Sequence, residues 1–279
     1  MKGIIVAAGY GTRFLPVTKT VPKEMLPLLN KPCISFIVEE FVESGIQDII
    51  IITSRRKKAL DDYFDYEAEL EAVFLKEGKK DKAGLIAPPD ANISFVRQKE
   101  MMGTGHALLQ TVPLLGGQAC VVAYPDDLHF GKPPLSRQLV DVYEKTGKCV
   151  LAAMHEPGDV SRYGVIDPQA DGQGVKAFVE KPAKGSEPSH YISIGRYLYT
   201  PEFFEYLAEG WKKHKGGEYY HSYALDSMIE ANKVAYRLLQ GRRLDTGEPA
   251  GYLEAILEYA WMEEQYRPVI QKFMDGKKP

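Results

Sequence analysis

The first half of the chain alternates short apolar runs with longer stretches in which apolar residues recur at helical spacing. The runs show no alternation with polar residues, which is typical of strands buried on both faces of a sheet. This order of strand and helix predicts an α/β fold built on a doubly wound, mostly parallel sheet. The predicted strands are residues 4–8, 48–53, 93–97, 119–124 and 150–155, and the predicted helices are residues 34–44, 58–77, 105–111 and 135–146.

The second half of the chain is less regular and indicates a smaller, mixed and partly antiparallel region. Residues 253–273 have the pattern of a closing helix or helix pair, which Pro268 is expected to interrupt because proline lacks a backbone N–H. The polar segment 78–90 is predicted to lie on the surface. The remaining predicted elements are strands at residues 163–167, 175–180 and 191–199, and helices at residues 201–210 and 223–231.

Composition narrows the classes of protein to consider. The 279 residues are 44% hydrophobic and carry a net charge of −3, so a sizeable core is expected and general binding to nucleic acid or a membrane surface is not. No apolar run approaches the ~20 residues that span a bilayer, and Met1 and Lys2 lead directly into the first strand, without room for a signal peptide. The three cysteines are scattered, which predicts neither disulfides nor a zinc site and favours a reducing cytoplasm.

The first strand ends in a glycine turn, Gly9-Tyr10-Gly11-Thr12-Arg13. Glycine lets backbone N–H groups approach a phosphate closely, and ligands of open α/β sheets bind at this edge. The turn is not a dinucleotide fingerprint, because the third glycine would fall at Phe14, and a dehydrogenase is therefore a poor fit. A P-loop is excluded as well, since no Gly-Lys-Ser/Thr follows. Arg13, Lys19 and Lys23 are the nearby cations that a phosphate site needs.

A longer stretch around this turn resembles a known signature. Residues 9–27, GYGTRFLPVTKTVPKEMLP, resemble the signature of bacterial UTP–glucose-1-phosphate uridylyltransferases, which are sugar-nucleotide pyrophosphorylases. The resemblance covers most of the chain through further motifs: VRQKEMMGTGHAL from Val96, YPDD from Tyr124, RYGVID from Arg162, FVEKP from Phe178, ISIGRYLY from Ile192 and LDTGEPAGYLEA from Leu244. It implies one nucleotidyltransferase domain with a Rossmann-like fold, divided into a nucleotide-binding half (1–155), a sugar-binding half (156–252) and a C-terminal helical segment (253–279).

The resemblance also implies a reaction, in which UTP and glucose 1-phosphate give UDP-glucose and pyrophosphate. Such a transfer depends on positioning and on charge neutralisation. The implied catalytic residues are Arg13, which would hold the departing β- and γ-phosphates, and Lys23, which would stabilise charge at the α-phosphate. Asp126 and Asp245 would hold Mg²⁺, a hard cation suited to oxygen ligands. Lys19 is a weaker phosphate candidate.

Binding residues follow from the same motifs. The Gln98 amide is suited to the uracil edge, and glutamate is a suitable acceptor for sugar hydroxyls. The implied nucleotide-binding residues are Ala8, Gly9, Gly11, Thr12, Glu24, Gln98 and Gly103, and the implied sugar- and phosphate-binding residues are Gly164, Glu180, Lys181 and Gly195.

One segment departs from the family pattern. Residues 217–226 read GEYYHSYALD, where the family usually carries GEIQLTD, and this segment borders the sugar pocket in relatives. The same chemistry with another substrate, for instance dTTP or galactose 1-phosphate, therefore stays open. A non-catalytic sugar-nucleotide-binding module is a further alternative, although such proteins usually lose the cations or carboxylates that this chain keeps.

Relatives form dimers or tetramers, so a homo-oligomer with subunit contacts through residues 253–273 is expected.

Overall fold

The computed structural model describes residues 1–276 and contains a nine-stranded sheet, two two-stranded sheets and helices on both faces of the large sheet. The strands are β1 (Lys2–Val6), β2 (Pro27–Leu28), β3 (Lys31–Pro32), β4 (Asp48–Thr53), β5 (Asn92–Arg97), β6 (Cys120–Ala123), β7 (Asp127–Phe130), β8 (Cys149–His155), β9 (Gly164–Pro168), β10 (Val175–Glu180), β11 (Tyr191–Tyr199), β12 (Val234–Leu238) and β13 (Arg242–Asp245). The α-helices are α1 (Cys33–Glu43), α2 (Lys58–Phe64), α3 (Ala68–Lys76), α4 (Lys80–Leu85), α5 (Thr104–Leu109), α6 (Val112–Leu115), α7 (Leu135–Thr146), α8 (Pro201–Lys213), α9 (Ser222–Glu230), α10 (Pro249–Met262) and α11 (Arg267–Asp275). Short 3₁₀ turns lie at Thr12–Phe14, Val17–Lys19, Lys23–Met25 and Glu264–Tyr266.

The large sheet has the order β10-β9-β11-β6-β1-β4-β5, and β8 and β12 extend it from β11. The pairings β6–β1, β1–β4, β4–β5 and β8–β12 are parallel. The antiparallel pairings involve β11 or β10, so these two strands run against the others. The α/β class with a mostly parallel sheet, predicted from the alternation of strands and helices, is confirmed.

The long strand β11 pairs with β8 along one edge and with β6 and β9 at different points of its other edge. Tyr197 pairs with β6 on one side and with β8 on the other, whereas Ile192 pairs with β9 on one side and with β8 on the other. Strands β6 and β9 therefore share one edge of β11. Between them, Gly195 accepts the Tyr124 N–H at 2.9 Å and donates to Asp127 Oδ2 at 2.9 Å, and on the opposite edge the ladder with β8 is irregular between Ser193 and Tyr197. Ligands of α/β sheets bind at the carboxyl ends of the parallel strands where the strand order reverses, and in this sheet that point lies between β1 and β6.

Two apolar layers enclose the sheet, as the continuous apolar runs require. In β1, Ile5 packs into the layer formed with α1, α7 and α10, and Ile4 packs into the layer formed with α5, α8 and α9. Both isoleucines are fully buried. Within residues 1–276, no helix combines the length and apolar character needed to cross a membrane.

The structure corrects several predicted elements. Residues 58–77 form two helices instead of one, because Asp65 is extended and its side chain accepts a hydrogen bond from the Tyr66 N–H at 2.8 Å, which ends α2. The break in the C-terminal helices comes at Glu263, and Pro268 lies in the first turn of α11, where proline is well tolerated. The surface segment 78–90 contains α4, and the strands β7, β12 and β13 were not predicted.

Candidate active site

The glycine turn after β1 forms a compact loop. Gly11 has a left-handed backbone (φ 67°), and the Thr18 hydroxyl donates a hydrogen bond to its carbonyl at 2.8 Å. A Cβ atom at Gly11 would lie 3.2 Å from Thr18 and 3.3 Å from Lys23, so both the conformation and the space favour glycine. The loop presents Gly11, Thr12, Arg13 and Lys23 to a hollow that Gly247 closes from the other side.

The predicted cations and carboxylates meet around Gly247. Lys23 Nζ lies 2.5 Å from Asp126 Oδ2, and Arg13 Nη1 donates to the Gly247 carbonyl at 3.3 Å. The Gly247 N–H donates to Asp245 Oδ1 at 2.9 Å. A Cβ atom at Gly247 would lie 3.0 Å from Asp245 Oδ1 and 3.3 Å from Asp126 Oδ2, so both carboxylates face the same point. The topology explains this meeting: Asp126 lies in the turn between β6 and β7, and Asp245 ends β13, which pairs with β7.

The charges of Lys23 and Asp126 stabilise each other. Burial by itself would raise the pKa of Asp126, but the Lys23 ammonium and its hydrogen bond hold that pKa below the ordinary value. Burial likewise opposes the charge of Lys23, and the Asp126 and Glu24 carboxylates raise its pKa above the ordinary value. Both groups are therefore ionised at neutral pH, as a site for phosphate and a cation requires.

The donor set around Gly247 fits a hard divalent cation. Within the described residues, no group of three or more His, Cys, Asp and Glu side chains is close enough to hold a metal ion alone. Two carboxylates that face one point beside a phosphate-binding loop suit Mg²⁺, which keeps waters and binds through one or two carboxylates plus substrate phosphates. A metal ion bound here would therefore complete its shell with phosphate oxygens.

Arg243, which the sequence analysis did not single out, binds the carboxylates of Asp127 and Asp245. Its guanidinium donates to both oxygens of Asp127 at 2.9–3.0 Å and to Asp245 Oδ2 at 3.1 Å. Asp127 Oδ2 also accepts the Gly195 N–H at 2.9 Å. Residues 243 and 245 share one face of β13 because side chains alternate along a strand. The i, i+2 spacing of arginine and aspartate in the motif RRLD could have indicated this contact from the sequence.

A buried ion pair between Arg196 and Glu40 lies next to Gly195 and Asp127. Arg196 binds Glu40 of α1 through two hydrogen bonds of 3.0 and 2.8 Å, and both side chains are almost fully buried. Arg196 also donates to the carbonyls of Gly195 and Asp127 at 3.2 and 3.4 Å. The Ser136 N–H donates to Glu40 Oε1 at 2.9 Å. The pair thereby ties β11 to α1 directly behind the carboxylate loop.

The predicted base pocket is built largely from buried groups. Ala8 is buried, and Glu24 is 2% exposed and bound to Lys57 Nζ at 2.6 and 2.7 Å. Burial raises the pKa of Glu24 and lowers that of Lys57, and the ion pair partly offsets both shifts. Glu24 therefore lies in the 3₁₀ turn Lys23–Met25, with its carboxylate already bound to Lys57.

Gln98 and Gly103 lie together at the end of β5. The Gln98 amide donates to the Gly103 carbonyl at 3.0 Å and lies 3.1 Å from His106 Nδ1. Gly103 has φ 91°, and a Cβ there would lie 2.6 Å from the Tyr219 carbonyl oxygen. The backbone of Tyr219 therefore covers Gly103, and glycine is required for that contact. Gly9 is exposed and lines a small hollow with Lys19 and other residues.

A cleft of about 290 Å³ extends from the carboxylates along residues 193–197 of β11. It brings together Arg13, Asp126 and Asp245 at one end and Gly164, Glu180 and Gly195 at the other, with further lining residues Thr104, Tyr124, Asp127, Arg162, Tyr163, Phe178, Ser193, Tyr197, Tyr220, His221, Ser222, Arg243 and Gly247. Six predicted site residues thus line one space, although they are distant in sequence.

Three of the predicted sugar- and phosphate-binding residues have additional structural roles. A Cβ at Gly164 would lie 2.3 Å from the Phe178 ring, and one at Gly195 would lie 2.8 Å from Asp127 Cβ, so close packing requires glycine at both positions. Lys181 has a left-handed backbone (φ 47°), and its N–H donates to the Tyr163 carbonyl at 3.0 Å. Its side chain is 64% exposed, with Nζ 3.9 Å from Glu180.

The segment that departs from the family pattern forms one wall of the cleft. His221 is 8% exposed, and its Nδ1 lies 3.2 Å from the Tyr124 hydroxyl. Burial lowers the pKa of His221 to about 4, so its ring is neutral at pH 7. The Tyr220 hydroxyl bonds to Glu218, and the backbone of Tyr219 bonds to Met102 and Gly105 on either side of Gly103. These wall residues were not predicted as site residues, because nothing in their local pattern indicates a contact with β6 or α5.

Comparison with known proteins agrees with this geometry. The family model described as "Nucleotidyl transferase" matches residues 2–261. A UTP–glucose-1-phosphate uridylyltransferase of Bacillus subtilis (strain 168) is 42% identical over 281 aligned residues, which cover 99% of this chain and 96% of that protein.

Solved structures give the same result. A UDP-glucose pyrophosphorylase complexed with UDP-glucose is 36% identical over 94% of this chain and 99% of its own, with a TM-score of 0.81. A UTP-bound pyrophosphorylase of Acinetobacter baumannii is 28% identical over 99% of each chain, with a TM-score of 0.88. Nucleotidyl transferases generally use a divalent metal ion. The chain therefore belongs to the nucleotidyl transferase family, among the UTP–glucose-1-phosphate uridylyltransferases.

Proposed function

We propose that this enzyme transfers a uridylyl group from UTP to glucose 1-phosphate. A phosphate oxygen of glucose 1-phosphate attacks the α-phosphorus of UTP in line, and a new P–O bond forms. The bond from the α-phosphorus to the bridging oxygen of the β-phosphate breaks, and its electron pair leaves with pyrophosphate. The products are UDP-glucose and pyrophosphate, and no general base is needed because the attacking phosphate is already anionic.

One observation carries this proposal. The cleft joins one end, where Arg13 and Lys23 meet the carboxylates of Asp126 and Asp245, to another end lined by tyrosines, a neutral His221 and the Glu180 carboxylate. The first end suits the phosphates of two polyanionic substrates, and the second end suits a sugar, whose hydroxyls a carboxylate accepts. A dinucleotide-dependent enzyme would need neither the paired cations nor the paired carboxylates.

The cations of the loop would neutralise the charge that moves during transfer. Lys23 would leave Asp126 to bind the α-phosphate, where charge develops in the transition state. Arg13 would bind the β- and γ-phosphates, with the backbone N–H groups of residues 9–12 behind them, and would stabilise the leaving pyrophosphate. Holding both substrates in line replaces a bimolecular encounter with a positioned one, which is a main source of rate in phosphoryl transfer.

Asp126 and Asp245 would hold Mg²⁺. The ion would supply Lewis-acid polarisation of the phosphate oxygens and neutralisation of their charge. The two carboxylates are suited to it because Asp126 is held ionised by Lys23, and Asp245 is fixed by Arg243 and by the Gly247 N–H. If Lys23 bound the α-phosphate, the Asp126 Oδ2 that it contacts in this structure would be available as a metal ligand.

The remaining predicted residues divide between the two substrates. We assign Gln98, Gly103, Ala8, Gly9, Gly11, Thr12 and Glu24 to nucleotide binding, and Gly164, Glu180, Lys181 and Gly195 to the sugar phosphate. For Lys181 the exposed ammonium beside Glu180 supports this role, since it is free to turn toward a phosphate. Glu24, already bound to Lys57, would act through the position of the phosphate loop rather than through a new contact.

The organisation of the chain remains a proposal. We assign residues 1–155 to nucleotide binding, 156–252 to sugar binding and 253–279 to a C-terminal helical segment, of which residues 277–279 lie outside the described part. Helix α10 exposes Leu253, Leu257 and Trp261 at intervals of four residues, which supports a subunit contact in a homodimer or tetramer. The three cysteines are free and buried, which supports a cytoplasmic location.

The first test is pyrophosphate release from purified protein. The assay combines UTP, dTTP, CTP, ATP and GTP with glucose, galactose and mannose 1-phosphates, each with Mg²⁺, with Ca²⁺ and with EDTA. We expect one strong signal for UTP with glucose 1-phosphate and Mg²⁺, and loss of that signal in EDTA. Asp126→Asn and Asp245→Asn should reduce it by at least ~100-fold, whereas Asp81→Asn, at an exposed position on α4, should leave it unchanged.

The sugar is the substrate most open to change, because residues 220–222 line the cleft and depart from the family pattern. A strong signal with a different sugar 1-phosphate would keep the mechanism and correct the substrate. A folded protein that binds UTP but releases no pyrophosphate with any pair would contradict the proposed activity and favour a binding module.

A further inference from the structure

Ser193 occupies an unusual place in the sheet. It lies in β11 at the start of the irregular stretch, on the strand whose edge is shared by β6 and β9. It is 7% exposed, and it lines the cleft with Gly164, Glu180 and Tyr197. A polar side chain is therefore buried at the floor of the space assigned above to the sugar.

The hydroxyl of Ser193 has no hydrogen-bond partner within residues 1–276. The Tyr197 hydroxyl is near enough to interact with it, but the two do not form a hydrogen bond of standard geometry. Thr53 and Tyr199 also carry buried hydroxyls without partners, and neither lines the cleft. A buried hydroxyl without a partner is destabilising, and such groups in native proteins usually bind water or a ligand.

The chemistry of this hydroxyl matches a sugar better than a phosphate. A serine hydroxyl both donates and accepts a hydrogen bond, as every sugar hydroxyl does, whereas a backbone N–H only donates and a carboxylate only accepts. The cations of the site, Arg13 and Lys23, lie at the other end of the cleft, beside Asp126. Near Ser193, the phenol of Tyr124 and the ring of His221 bind each other.

We propose that Ser193 is a specificity-determining residue whose hydroxyl binds one ring hydroxyl of the sugar 1-phosphate. This inference rests on the proposed function and adds a side-chain contact from Ser193, two residues before Gly195 in the motif ISIGRYLY. A sugar that lacks or inverts that hydroxyl would leave Ser193 without a partner in a closed site and would bind less well.

The test compares Ser193→Ala with the unmodified enzyme on glucose 1-phosphate and its 2-, 3-, 4- and 6-deoxy analogues. In the unmodified enzyme we expect one analogue to lose about tenfold in kcat/KM because it lacks the partner of Ser193. Ser193→Ala should lose a similar factor with glucose 1-phosphate and little more with that same analogue, because the interaction is already gone. The KM for UTP should stay within twofold.

Tyr199→Phe is the matched control, since it removes another unpartnered buried hydroxyl that does not line the cleft. It should leave the pattern across the analogues unchanged. The inference is overturned if Ser193→Ala keeps the discrimination of the unmodified enzyme, or if it loses activity equally with all analogues. Failure of the proposed function looks different, because the unmodified enzyme would then release no pyrophosphate from UTP with any sugar 1-phosphate.

Discussion

Lys23 Nζ lies 2.5 Å from Asp126 Oδ2, so a cation assigned to the α-phosphate and a carboxylate assigned to the metal ion bind each other in this structure. In the proposed mechanism, bound substrates would separate them, so that Lys23 would bind a phosphate and Asp126 a metal ion. The pair keeps both charges ionised and in place until that exchange.

Replacing Lys23 by alanine should lower kcat by about 10²–10³-fold, because it removes a cation from the developing charge of the transition state. The midpoint of urea unfolding should change little, since the side chain is partly exposed on a loop. Steady-state pyrophosphate release at saturating substrates measures the effect. Lys212→Ala, at an exposed position on α8, serves as the control, and turnover of Lys23→Ala equal to that of the control would contradict the assigned role.

Arg243→Lys should weaken metal binding without removing any metal ligand. Arginine holds Asp127 and Asp245 together through a planar fork, and a lysine ammonium does not reproduce that geometry. We expect the Mg²⁺ concentration for half-maximal activity to rise about 10–100-fold, the usual effect of losing a group that orients metal ligands.

The neighbouring Arg242→Lys is the control for that variant, because Arg242 is 54% exposed and pairs with Glu258 on the surface. Mg²⁺ titration of both variants at fixed UTP gives the comparison. Equal Mg²⁺ requirements in the two variants would show that Arg243 does not position the carboxylates.

Arg196→Met should destabilise the fold by about 3–5 kcal/mol, because it leaves the buried Glu40 carboxylate without its cation. The double variant Glu40→Leu/Arg196→Met should recover most of that loss, since an apolar pair of similar volume carries no desolvation penalty. Urea unfolding of both variants measures the free energies. A double variant as unstable as the single one would mean that the hydrogen bonds to Gly195 and Asp127, rather than the charge pair, stabilise this region.

The neutral His221 should make stability depend on pH. Burial lowers its pKa from 6.5 to about 4, so the unfolded chain binds this proton at a higher pH than the folded chain does. The stabilising contribution is therefore complete above about pH 6.5 and decreases as the pH falls toward 4. Between pH 6.5 and 5 the loss is about 2 kcal/mol.

His221→Gln removes the titrating ring and should lack that part of the pH dependence. The measurement is urea unfolding of both proteins at pH 7, 6 and 5, and the relevant quantity is the difference between their slopes with pH. Identical slopes would mean that His221 is not held neutral in the folded protein.

The sequence was sufficient for the fold class and for the end of the cleft that is lined by Arg13 and Asp126. Buried parallel strands are continuous apolar runs, and the glycine turn at the end of the first of them is the predicted phosphate site. Asp126 and Asp245 could be named because each lies within a long, specific motif. These features can be predicted because each depends on neighbouring residues or on one continuous motif.

The rest depends on contacts that no local pattern records. The Glu40–Arg196 pair joins residues 156 positions apart, and the missing partner of the Ser193 hydroxyl depends on which distant residues surround β11. The strands β7, β12 and β13 have four or five residues each and form only against partners distant in the chain. Likewise, no local pattern indicates that Tyr219 contacts Met102 and Gly105 or that His221 contacts Tyr124.

The shared edge of β11 has a consequence for how such enzymes diversify. Because β6 and β9 both pair with one continuous strand, a change of side chain at residue 193 leaves the relative placement of these strands intact. We therefore expect mutations at residues 193 or 220–222 to alter which sugar is accepted while the proposed geometry of attack is preserved. A scaffold of this kind would allow new sugar nucleotides to be made by changing one wall of the cleft.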